Sequence, residues 1–97
     1  MDMIDLAAAI ASLKTPDEVS RFLRDLCTPA EIREFEARWT AAQLLNAGEL
    51  SYRDIAAKIG TSTTTVTRVA RFLNDEPHQG YKLVLEKYFG VKKKKGA

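Results

Sequence analysis

The sequence predicts an all-α chain organised around a helix-turn-helix, and three observations predict it. The stretch Ser51 to Leu73, SYRDIAAKIGTSTTTVTRVARFL, holds two short segments with apolar faces, joined at Gly60. Elsewhere apolar residues recur at spacings of three and four, the period of a helix covered on one side. Two Thr-Pro-x-Glu tetrads, at 15–18 and 28–31, have the form of helix starts, and no stretch makes a convincing strand.

Residues 2–14 are expected to form the first helix, with Ile4, Leu6, Ile10 and Leu13 apolar and three alanines between them. Few polar residues hold it in water, so it needs a surface to pack on, such as a partner chain. Thr15 caps the second helix, Pro16 takes its first position and Glu18 completes a capping box. That helix runs to about Leu26 and is expected to bury Val19, Phe22, Leu23 and Leu26. The same device at Thr28 to Glu31 opens the longest helix, to about Asn46. Ile32, Phe35, Trp39, Ala42 and Leu45 form its apolar stripe, with Arg38 on the stripe's edge and Gly48 closing the helix.

In the central stretch Ser51 caps one helix, and Ile55, Ala56 and Ile59 share a face. Gly60 ends it, because only glycine takes the left-handed turn without a steric penalty. Ser62 caps the next helix, whose apolar side carries Val66 and Val69. A small Ala56 at the crossing and four branched aliphatics in the wedge suit two helices crossing closely at a steep angle. In a helix-turn-helix the second of these enters the major groove of DNA. Asn74-Asp75-Glu76-Pro77 then breaks the chain, and a last helix is expected from Gln79 to Phe89, with Tyr81, Val84, Leu85 and Tyr88 on one side.

The face of the second central helix suits DNA. It carries Thr63, Thr64, Thr65, Thr67, Arg68 and Arg71. Threonine is a mediocre helix former, so four in one helix are unusual on propensity grounds. Its hydroxyl bonds base edges or phosphates, and its methyl touches a thymine methyl. The plainer alternative is a polar, cap-rich helix start facing solvent.

Bulk properties set bounds. Ninety-seven residues suit one compact domain, read as 1–91, followed by a basic tail at 92–97. The tail is low in complexity and expected to be disordered, either solvated or touching phosphate. Net charge is +2, but removing Lys92 to Lys95 leaves 11 basic against 13 acidic residues. The positive charge is local: Arg53, Lys58, Arg68 and Arg71 against Asp54. The hydrophobic fraction of 45% is high enough that part of it is expected to pack against another subunit. Cys27 is the only cysteine, which excludes an intrachain disulfide and suits a reducing cytoplasm. No signal peptide or membrane span is recognisable.

Catalysis finds no support. His78 is the single histidine and Cys27 has no histidine near it in sequence. No glycine loop of the phosphate-cradling kind is present. No catalytic residue, metal or cofactor is therefore assigned. A helix-turn-helix module without sensing, or a protein-interaction bundle, stands as the alternative.

L-C-T-P-A-E at 26–31, Arg38, L-L-N-A-G-E-L-S at 44–51 and T-V-T-R at 65–68 occur in this order with compact spacing. On these residues, spanning about Leu26 to Leu73, the chain resembles the tryptophan repressor-like regulators. The resemblance implies a six-helix subunit, an intertwined homodimer and two reading heads on a roughly two-fold DNA operator. It implies DNA contacts at Tyr52, Arg53, Thr63, Thr64, Thr65 and Thr67, to which the residues themselves add Arg71. It places a small-molecule effector between Arg38 and Arg68; the alternatives for these two are salt bridges to Glu34 or Glu49, or phosphate contact. Where the family has a glycine after the second arginine, this chain has Val69, and a small polar position further on is Phe72. Both add bulk, so tryptophan is not the expected effector. A binder needing no ligand and a sensor of another small molecule both stay open.

Overall fold

A computed structural model describes residues 2–91; the Lys92–Lys95 run and its possible phosphate contact lie outside the described residues. The elements are α1 (Leu6–Ala11), α2 (Pro16–Leu26), α3 (Pro29–Ala47), α4 (Tyr52–Ile59), α5 (Thr63–Asn74) and α6 (Gly80–Phe89). Among the described residues these six helices are joined by turns, with no strand, as the all-α reading expects. The chain divides into two compact units at Glu34–Phe35, a division that falls within α3.

In the first unit, local hydrogen bonds set the helix ends. The Asp5 carboxylate accepts the Ala8 N–H at 2.8 Å and starts α1 there, so residues 2–4 precede the helix. The Ser12 hydroxyl donates to the Ala9 carbonyl at 2.6 Å and marks its end. The expected helix over 2–14 is thus one of 6 residues. Thr15 Oγ1 accepts the Glu18 N–H at 3.2 Å, while the Glu18 carboxylate reaches the Lys14 N–H at 2.8 Å, one residue earlier than a standard capping box. The expected burial along α2 is not found: no residue of α1 or α2 is buried, and Leu26 is 51% exposed. Val19, Phe22 and Leu23 are half-buried, so the amphipathic pattern is present without a full covering layer. Thr28 and Glu31 cap α3 reciprocally, with the Glu31 N–H on Thr28 Oγ1 at 3.1 Å and the Thr28 N–H on the Glu31 carboxylate at 2.9 Å.

The second unit holds the core. Ala41 and Ala42 of α3, Ile55 and Ala56 of α4, and Val66 and Val69 of α5 form one buried cluster. Trp39, Leu44, Leu45, Ile59 and Tyr81 pack against it, and the Trp39 and Tyr81 rings stack with centroids 6.5 Å apart. Of the expected α3 stripe only Ala42 is fully buried; Phe35 is exposed. The helix-turn-helix corner follows the sequence closely. Ser51 Oγ accepts the Asp54 N–H at 3.1 Å. Gly60 is left-handed at φ 69°, and the Thr61 N–H closes onto the Ala56 carbonyl at 3.0 Å. Ser62 Oγ accepts the Thr65 N–H at 3.1 Å and starts α5. In α6 only Leu85 is buried and Tyr88 is 80% exposed, so the expected apolar side is mostly open.

Two outcomes follow from this packing. Ile55→Ala removes a fully buried side chain from the wedge and is expected to cost about 2–5 kcal/mol in urea unfolding. Glu31 is held below its ordinary value of 4.5 by the Thr28 backbone N–H first and the Thr28 hydroxyl second. A carboxyl depressed in the folded state stabilises above its unfolded pKa, and that contribution is lost as pH falls through the folded value. Unfolding measured from about pH 5 down to about pH 3 should therefore show a shallower loss of stability for Glu31→Gln than for the natural chain.

Candidate nucleic-acid interface

The cap that starts α5 sorts its threonines. Thr65 is half-buried and its Oγ1 lies 3.1 Å from Ser62 Oγ, so this hydroxyl belongs to the cap. Thr67 donates its hydroxyl to the Thr63 carbonyl at 2.9 Å, leaving an exposed methyl and an acceptor lone pair. Thr63 and Thr64 are exposed, and their hydroxyls have no hydrogen-bond partner among the described residues. Thr63, Thr64, Thr67, Arg68 and Arg71 together line a shallow groove of about 330 Å³. Its lining is hydroxyl, methyl and guanidinium, with no carboxylate, which suits base edges and phosphate oxygens.

The other expected contacts lie elsewhere. Tyr52 and Arg53 occupy the exposed first turn of α4. Tyr52 borders a separate cavity of about 470 Å³, shared with Leu45, Leu50, Leu73, Lys82 and Glu86. Arg68, which the resemblance gives to an effector, lines the same groove as Thr63, Thr64 and Thr67. Arg38 stands on α3, half-buried, its guanidinium 5.9 Å from the centre of the Phe35 ring.

A cluster at the end of α5 escapes a sequence reading. The Arg68 guanidinium lies 4.5 Å from the centre of the Phe72 ring, and that of Arg71 lies 5.2 Å from the same ring. Val69 is fully buried in the core. Beyond Asn74 the chain turns back, and the Asp75 and Glu76 N–H groups both reach the Arg71 carbonyl, at 2.8 and 3.2 Å. This turn sets the Glu76 carboxylate 3.3 Å from Arg71 Nε. In the sequence Glu76 stands out only as part of the helix break at 74–77. A spacing of five residues across a helix end has no periodic signal to reveal the pair.

Other chemistries find less in the geometry. Among the described residues no group of three or more His, Cys, Asp or Glu side chains gathers as a metal site. None of the described helices is long and apolar enough to cross a membrane.

Residues 2–88 match the family described as Trp repressor protein. The chain belongs to the Trp repressor family. The match takes in α1, α2 and α6 as well as the Leu26–Leu73 stretch on which the sequence resemblance rests. A relative from Bacillus subtilis (strain 168), named Uncharacterized protein YerC, is 36% identical over 86 residues, covering 89% of this chain and 81% of its own. The crystal structure of a TrpR like protein from Eubacterium eligens ATCC 27750 superposes with a TM-score of 0.79 at 41% identity, covering 91% of this chain and 89% of that one. Trp repressor family members are DNA-binding regulators and not enzymes.

The sorting of the threonines has a direct check by thermal or urea unfolding. Thr63→Ala and Thr64→Ala should each stay within about 0.5 kcal/mol of the natural chain. Ser62→Ala, which removes the α5 cap, should lose about 1 kcal/mol.

Proposed function

We propose that this chain is a sequence-specific DNA-binding transcriptional regulator, a repressor that binds a two-fold symmetric operator as a homodimer. The observation that carries the reading is the groove of Thr63, Thr64, Thr67, Arg68 and Arg71 on the outer face of α5. Thr63 and Thr64 at the start of α5 read base edges, and Arg71 near its end meets the backbone. Arg53 and Tyr52 on α4 contact flanking phosphates, and Thr65 supports the helix start through its cap. Membership of the Trp repressor family supports the same reading. Working on chromosomal DNA gives the chain a cytoplasmic place.

The dimer is supported by the apolar surface that one chain leaves open. Met3, Ile4, Leu6, Ile10, Leu83 and Tyr88 are all exposed. Burying such side chains against a second copy supplies the missing covering layer for α1 and α6. A dimer presents two α5 helices to successive major grooves and covers a promoter, so repression is the default outcome.

Tryptophan is not the effector in this reading. Val69 fills core volume and the Phe72 ring lies against the Arg68 guanidinium, where a planar ligand needs room. The same contact favours a regulator competent without a small molecule. An effector that does act, held by Arg38 and Arg68, must bind the DNA-competent geometry better than its alternative to shift the population.

The test is fluorescence anisotropy on a duplex enriched from a random-sequence pool, at fixed salt. Arg53→Ala should weaken binding uniformly across sequences, whereas Thr64→Ala should weaken it and relax specificity at its base pair. Insensitivity to both would favour a protein-interaction bundle. Sedimentation at micromolar concentration should give a dimer; a monomer would overturn that part of the proposal.

A further inference from the structure

Arg71 faces the groove that the proposed function gives to DNA, yet it already holds an anion. Its Nε lies 3.3 Å from the Glu76 carboxylate, with the two side chains 59% and 35% exposed. A strong charge-assisted bond is shorter, about 2.7–2.9 Å, so this contact is loose and solvent-accessible. Meanwhile the Phe72 ring lies against the Arg71 guanidinium, 5.2 Å from centre to carbon, and against that of Arg68 at 4.5 Å. The ring can keep the guanidinium aligned while its anionic partner changes.

We infer that Glu76 is a built-in phosphate surrogate: it holds Arg71 in the free protein and yields it to a DNA phosphate on binding, so that Glu76 sets the affinity of the complex. The inference rests on the DNA-binding reading and deepens it. The position favours phosphate over base for Arg71, which stands two turns beyond the base-reading start of α5. A phosphate engages a guanidinium through two parallel bonds, a better fit than the single loose edge contact with Glu76. The carboxylate stands beyond the end of α5, held there by a turn whose main chain is fixed on both sides. The Glu76 N–H bonds the Arg71 carbonyl at 3.2 Å, and the Glu76 carbonyl accepts the Gln79 side-chain amide at 2.6 Å. Neither bond uses the Glu76 side chain, so its charge can be removed with the turn retained.

A rival arrangement has opposite consequences. If Glu76 stayed on Nε as a brace, presenting the other edge of the guanidinium to DNA, its removal would weaken binding. Exchange predicts the reverse. With a duplex enriched from a random pool, Glu76→Gln should bind about two- to fivefold more tightly per protomer, the range expected from releasing an exposed ion pair. The plot of log affinity against log salt should keep nearly the same slope, because Arg71 meets the phosphate in both complexes; a slope steeper by about one ion per protomer would mean that Arg71 stays on Glu76 in the natural complex and would overturn the exchange. In an Arg71→Ala background Glu76→Gln should lose most of its effect. Glu76→Ala serves as a second variant, and circular dichroism confirms folding of each. Weaker binding by both folded variants would overturn the exchange in favour of a brace. An equal gain with and without Arg71 would overturn it in favour of general charge repulsion. Failure of folded natural chain and variants alike to enrich or bind any duplex would instead remove the DNA-binding reading, and this inference with it.

Discussion

The contact on which the candidate interface depends is the wedge between α4 and α5. Ile55, Val66 and Val69 are fully buried there, closed on the α3 side by Ala41 and Ala42. Small residues on α3 and Ala56 on α4 allow close approach, and the left-handed Gly60 allows the sharp corner. With Val66 and Val69 fixed inward, the helical period turns Thr64, Thr67, Arg68 and Arg71 outward, and Thr63, the first residue of α5, joins them in the groove. The make-up of the groove is thus a consequence of core packing. A change in the wedge alters the attitude of α5 without touching any groove residue.

A second constraint is the mismatch between apolar content and what one chain covers. Among the described residues nine hydrophobic ones are buried, while α1 and α2 contribute none of them. The first unit has well-formed caps at every helix start, so its local structure is specified even though its apolar side is open. Such a pattern fits a chain whose helices are fixed locally and whose covering layer comes from association. Electrostatics follow a similar division of labour, since the groove is cationic while the body of the chain, apart from its tail, is slightly acidic.

Features governed by short-range bonds were legible in the sequence. The Thr15, Thr28, Ser51 and Ser62 caps and the Gly60 turn are i to i+3 or single-residue effects, and the structure places each as read. The extent of α1 was not legible, because Asp5 captures the Ala8 N–H and starts the helix later than the apolar pattern suggests. Burial along α2, α3 and α6 was overestimated for a related reason: periodicity shows which side is apolar, but not what covers it. At the candidate site the four threonines looked alike in sequence. Their side-chain bonds separate them, Thr65 going to the cap and Thr67 to a backbone carbonyl. The Arg71–Glu76 pair depends on a turn beyond the helix end, where no helical spacing applies.

Sequence-specific DNA binding is tested first by selection of bound duplexes from a random-sequence DNA pool by the purified, folded chain at fixed salt. A dimeric regulator should enrich a motif with two-fold symmetry, its half-sites centred roughly one helical turn apart, about 10 base pairs. Absence of any enriched sequence, both with and without added cell metabolite extract, would contradict sequence-specific binding.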